Sequence, residues 1–224
     1  VVGGTGGLNI TGGSQTLSVA NTFSGGVQVQ SGAALSIASS NALGSGALAL
    51  IGSATVPATL NITDTTTIAN GISVSGDPVF NITTGTTTTV SSPITDGGVA
   101  GDVVVAGGGT LNLTAVNSYT GLTAIGAGST LALTGSGSIT PSVSVTNNGT
   151  LNVASTTGNV ALGGSFTQTS SGSLVMGFTP ASNQRLLIAG AAVLAGSLSL
   201  QATGGTYSAG KYTLLSANGV SGRF

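Results

Sequence analysis

The chain has no cysteine, histidine, tryptophan or glutamate, and only three basic and four acidic residues among 224. Without cysteine there is no disulfide scaffold and no thiolate metal site. Without histidine as well, neither a serine–histidine triad nor a cysteine–histidine pair can be assembled, and the usual zinc ligands are gone. The acids are Asp64, Asp77, Asp96 and Asp102. The four are expected on different coils; Asp64 and Asp77 are 13 positions apart and Asp96 and Asp102 six. They read as solvated corners rather than as the paired carboxylates of a glycosidase. The chain is therefore predicted to be no enzyme, with no catalytic residues, no metal ligands and no cofactor. The bases, Arg185, Lys211 and Arg223, form no stripe for phosphate, so nucleic acid is not an expected partner. No polybasic helical segment addresses a membrane surface.

What remains is glycine (39 residues), serine, threonine and small aliphatics, with 40% hydrophobic residues and a net charge of −1. A mean hydropathy of +0.50 predicts collapse, because disordered chains combine low hydrophobicity with high net charge. The most apolar stretch, LLIAGAAVLAGSLSL (186–200), is shorter than the roughly 20 residues of a spanning helix and reads as two buried strands. The start at Val1, with no charged leader, reads as a mature fragment or excised domain.

A short alternating word recurs along the chain. Its copies include GLNI (7–10), TLSV (16–19), ALSI (34–37), ALAL (47–50), TLNI (59–62), VFNI (79–82) and TLNL (110–113). TLAL (130–133), TLNV (150–153), SLVM (173–176) and SLSL (197–200) continue it. From Leu111 to Leu131, Leu151, Leu174 and Leu198 the steps are 20, 20, 23 and 24 residues, whereas earlier steps are uneven. Alternation at period two marks half-buried strands, and a period near twenty with glycine corners marks a β-solenoid. The expected fold is all-β, a β-solenoid of roughly ten coils, favoured over a two-sheet sandwich. Asn61, Asn81, Asn112 and Asn152 share one place in the word, which predicts asparagine ladders between coils.

The stretch GGVAGDVVVAGGGTLNLTAVNSYTGLTAIGAGSTLAL (97–133) resembles the autotransporter-associated β-strand repeat, with Thr110, Leu111, Leu113, Asn117, Tyr119, Gly121 and Thr123 at its marked positions. Residues 14–50 look like a second copy, with Asn21, Phe23 and Gly25 in the corresponding places and NALGSG at 41–46. The tail, 164–224, resembles the end of autotransporter passengers, although Asn183, Gln184 and Arg185 stand where that family carries an aspartate. The resemblance implies a right-handed parallel β-helix. Residues 1–163 would be a stalk, and 164–224 a continuous cap and autochaperone-like folding nucleus. It further implies export to the bacterial cell surface by type V secretion, plausibly as part of an adhesin. The implied partners are the chain's own outer-membrane β-barrel and a host-cell or matrix receptor, or self-association. Two other readings stay open: the scaffold of a secreted enzyme whose catalytic part lies elsewhere, and a glycan-binding module.

Three smaller signals read as architecture. GGVAGD (97–102) departs from a calcium-binding nonapeptide at Ala100 and reads as a turn. Of the sequons at Asn9, Asn61, Asn81, Asn112 and Asn148, three are NIT within strand words, where such triplets arise from the repeat itself, and none is read as a glycan site. Phe23, Tyr119, Phe166, Phe178, Tyr207 and Tyr212 are expected to stack at corners or cap the core rather than form a ligand platform.

Overall fold

Three rows of short parallel strands wind into a β-solenoid in the computed structural model, which describes the chain except for residues 54, 180–183, 203–204 and 208. Among the described residues there is no helix. The longest row holds ten strands, from Gly13–Leu17 through Ala33–Ile37, Thr59–Ile62, Val79–Ile82 and onward to Val220–Gly222. Nine steps of about 4.8 Å put its ends about 43 Å apart, so the chain makes about nine turns.

A second row holds seven strands, Thr66–Ile68, Thr87–Val90, Thr110–Leu113, Thr130–Gly135, Thr150–Thr156, Ser173–Phe178 and Ser197–Ala202. The third face carries five strands at one end, Leu8–Ile10 to Ile94–Gly101, and three at the other, Val160–Leu162, Leu186–Ile188 and Leu215–Ser216. Between these two groups the face is filled by irregular segments that still bond from coil to coil. Ser118 N donates to Ile94 O at 2.9 Å, and Gly163 N donates to Thr140 O at 2.8 Å.

Alternation decides which side chains turn inward. On the seven-stranded face Leu111, Leu131, Leu151 and Leu174 stack in register and are fully buried. On the ten-stranded face the inward column runs Leu35, Leu60, Phe80, Val105 and Ile125. It then changes character, to Asn147 and Gln168, both buried. Between the leucines the opposite side of the seven-stranded face carries one hydroxyl per coil: Thr87, Thr110, Thr130, Thr150, Ser173 and Ser197.

The recurring word does not keep to one face. TLNI and VFNI lie on the ten-stranded face, ALAL on the five-stranded group, and TLNL, TLAL, TLNV, SLVM and SLSL on the seven-stranded face. This explains the uneven early spacing, because a word that moves to another face covers only part of a turn. It also limits the expected asparagine ladders to one step. Asn81 Nδ2 donates to Asn61 Oδ1 at 2.7 Å on one face, while Asn112 and Asn152 lie on another with Ala132 between them.

The stretch 186–200 likewise differs from expectation. It contributes to three strands on three faces, and the last, Ser197–Ala202, is mostly exposed. Burial is continuous along the interior coils and thins in the final turn of the tail.

Leu131 is fully buried with a coil on either side, whereas Leu198 is only partly buried and pairs with Leu174 on one side. Leu131→Ala is therefore expected to cost about 2–5 kcal/mol, and Leu198→Ala clearly less. Chemical denaturation of the two variants checks this, and equal losses would contradict the gradient of burial.

Candidate functional site

The strongest polar concentration lies where the third face loses its regular strands, around Asp77, Asp96, Asp102 and the segment 117–123. Asn117 is buried, and its carboxamide ties three coils together. Its Oδ1 accepts from Ile94 N at 2.8 Å, and its Nδ2 donates to Ala115 O at 3.0 Å and to Ser138 O at 2.9 Å. Two residues on, Tyr119 is fully buried and its hydroxyl meets Thr123 Oγ1 at 2.7 Å, which in turn meets Ser142 Oγ at 3.0 Å. Burial pushes the Tyr119 phenol well above its ordinary range, against the bond to Thr123, with the nearby Asp102 charge adding to the rise. Gly121 is required by close approach: a β-carbon there would collide with Asp102 Oδ1 and Gly101 O.

The same arrangement occurs at Asn21. Its Oδ1 accepts from Val2 N at 2.7 Å, and its Nδ2 donates to Val19 O at 3.0 Å and Ala42 O at 2.8 Å. Phe23 takes the place of Tyr119, fully buried, and a β-carbon on Gly25 would strike the backbone of Gly6 and Gly7. In both copies one carboxamide satisfies a donor on the preceding coil and acceptors on its own and the following coil.

Asp77 and Asp102 are 25 residues apart in sequence but side by side in space, close enough for one carboxyl to hydrogen-bond the other. This corrects the expectation of four different coils: Asp64 and Asp77 share one turn and Asp96 and Asp102 the next, and the two that meet, Asp77 and Asp102, join these neighbouring turns. One turn in this region takes about 25 residues, so neighbouring coils align positions that the spacing comparison left unpaired. Burial raises the Asp102 carboxyl to about 6; a hydrogen bond from Leu122 N at 2.8 Å opposes the rise, and the Asp77 charge reinforces it.

Asp96 is arranged differently. Desolvation pushes it up, yet the Thr120 hydroxyl at 2.6 Å and the N–H groups of Gly101 and Thr120 together outweigh that and hold it below its ordinary value. GGVAGD bulges outward from the strand Ile94–Gly101, and Asp96 closes the bulge through Gly101 N. The carboxylate is thus engaged with its own and the next coil. No group of three or more potential metal ligands occurs among the described residues.

The other candidates distribute as follows. Phe23, Tyr119 and Phe166 are sealed in the core and present no platform. Phe178 stacks on Tyr207 at 5.2 Å and meets Tyr212 edge-on at 4.9 Å, forming an aromatic cluster beside the last coils. Asn183 lies outside the described residues. Gln184, one residue on, is buried and acts as another tie, accepting from Gly177 N at 3.0 Å and donating to Val153 O at 2.8 Å. A cleft of about 410 Å³ at the first coil is lined by Val2, Leu8, Ile10, Gln15 and Leu17 among others, with no titratable side chain. Comparison with known protein families, curated proteins and solved structures returns no match.

The Asp77–Asp102 pair has a thermodynamic consequence. A carboxyl whose folded value is raised stabilises the fold below its ordinary 3.8 and loses that contribution as pH rises through about 6. Asp96, being lowered, acts in the opposite sense and only at more acid pH. The melting temperature is expected to fall between about pH 4 and about pH 6 in the wild type, and to stay flatter in Asp102→Asn, whose amide can donate to Asp77. Matching slopes in the two proteins would show that the pair is not coupled to folding.

Proposed function

We propose that this chain is a non-catalytic structural segment of a bacterial autotransporter passenger, a cell-surface stalk whose tail, 164–224, nucleates folding during export. The observation that carries this reading is the matched pair of carboxamide ties at Asn21 and Asn117, each with a buried aromatic two residues on and a close-packed glycine four residues on. These are the positions on which the resemblance to the autotransporter-associated repeat rests. Each has a mechanical role: stacking coils and turning the corner, with no reacting group among them. A rod built one coil at a time suits a chain that emerges through a membrane pore and folds as it emerges, because each coil needs only its neighbour to pair with. Its partners in this reading are its own outer-membrane barrel and a surface receptor or another passenger.

A second reading has its own observation. The column Thr87, Thr110, Thr130, Thr150, Ser173 and Ser197 sets one hydroxyl per coil on an uncharged face, the kind of surface a neutral glycan would meet. A glycan array separates the two readings, because a pure stalk leaves it blank.

The export reading is tested by joining the chain upstream of a translocator barrel in a Gram-negative host. The full chain is expected to reach the surface as a protease-resistant rod, and a version lacking 164–224 to lose that resistance. Retention of the full chain in the periplasm, beside a control passenger that is displayed, would overturn the proposal.

A further inference from the structure

Three asparagines precede glycine: Asn70, Asn148 and Asn218. At such a pair the glycine backbone nitrogen can attack the asparagine carboxamide carbon. The new C–N bond closes a five-membered imide, the glycine N–H and the Cγ–Nδ2 bonds break, and the released proton, relayed by solvent, leaves with the amide nitrogen as ammonia. Water then opens the imide at either carbonyl, giving aspartate or isoaspartate with no change of oxidation state. Reaction requires a carboxamide free to rotate and an N–H free to be attacked, so the fold decides which of the three pairs reacts.

Two of them are held. Asn70 Nδ2 donates to Gly44 O at 3.1 Å and to Gly46 O at 2.6 Å, which pins its carboxamide away from Gly71. At Asn148–Gly149 the clamp is on the backbone. Asn148 N donates to Ile125 O at 2.9 Å, Ser171 Oγ donates to Asn148 O at 3.1 Å, and Ser173 N donates to Gly149 O at 2.7 Å. Gly149 is buried against the carbonyls of Gly126 and Ser129, with no room for the peptide to swing.

Asn218 also has its backbone N–H bonded, to Gly190 O at 2.9 Å, and differs from the other two in exposure. It is exposed, and so is Gly219, which sits at φ +93° in the turn between Leu215–Ser216 and Val220–Gly222. Among the described residues neither its carboxamide nor the Gly219 N–H has a hydrogen-bond partner. We propose that Asn218–Gly219 is a self-modifying site, where an exposed, unbonded carboxamide beside an exposed, unbonded glycine N–H converts spontaneously to aspartate and isoaspartate. The isoaspartyl product adds one methylene to the main chain between residue 218 and Gly219, one residue ahead of Val220. That strand is held to Ala192–Leu194 by Ala192 N donating to Gly219 O at 2.9 Å and by the pairs Ala192–Val220 and Val193–Ser221. Lengthening the backbone there shifts this register, so the modification loosens the last strand of the ten-stranded face.

The test ages the folded full chain in mildly alkaline buffer and digests it with trypsin and an aspartate-directed protease. The sequence then releases 212–223 with Asn218 as its sole asparagine and 64–76 with Asn70 as its sole asparagine. Mass spectrometry is expected to show the amide-to-acid conversion in 212–223 about tenfold faster or more than in 64–76. The same fragment is expected to accept methyl groups from an isoaspartyl methyltransferase. In denaturant the two fragments should converge, and Asn218→Gln should remove the signal. Equal rates in the folded chain, or no conversion of 212–223 while the denatured chain reacts, would overturn the proposal.

Discussion

Stacking of each coil on the one before it is the constraint on which this structure depends. Among the described residues the named strands pair in parallel, so each strand needs the next turn of chain to complete its hydrogen bonds. The same stacking assembles the core, since a leucine such as Leu131 is buried by Leu111 below and Leu151 above. Burying a side chain of that size is worth about 1.5–3 kcal/mol, and it is gained only when both neighbours are in place. Stability is therefore shared between adjacent coils and declines where a neighbour is missing, as it does at Ser197–Ala202. The scarcity of charge follows from this arrangement, because an ion in any inward column would face uncompensated desolvation.

Stacking on its own leaves the register undecided. The words TLNL, TLAL and TLNV would satisfy one another in several alignments, since each offers leucine or valine at the same inward positions. The buried carboxamides distinguish these alignments. Asn117 satisfies its oxygen and both amide hydrogens with Ile94, Ala115 and Ser138, and a slip of one coil would leave these groups unpaired in the interior. Gln168 reaches Gly172 O, Ala195 O and Ser197 O, and receives the neighbouring amide through Asn147 Nδ2 at 3.0 Å. Buried amides add little net stability but penalise the wrong pairing heavily, which makes them markers of position in an otherwise repetitive column.

The alternating words and their period were enough to identify a solenoid, because inward–outward alternation is local and survives any change of face. The face each word occupies was not legible. It depends on how many residues each corner consumes, as between Val90 and Ile94 or between Leu113 and Leu122, and these lengths carry no fixed sequence signature. The Asp77–Asp102 contact was hidden for that reason, being a pairing one full turn apart in a stretch where the turn is longer than twenty residues. Asn117, Tyr119 and Gly121 could be picked out by pattern, but their roles required coordinates, since each acts on a neighbouring coil.

The two copies of the carboxamide motif show how far repetition and geometry can separate. Asn21 lies in a coil segment that the seven-stranded row later occupies, whereas Asn117 fills the gap in the third face, so the same motif serves different corners of the prism. It can do so because its requirements are local to one corner: an acceptor for the strand below, donors to the strand above and to its own turn, a ring to fill the interior, and a glycine where backbones touch. A unit that makes no demand on which face it occupies can be repeated at intervals that are not whole turns. Length can then be added to such a rod without a strict period, provided each insertion brings its own means of closing a corner.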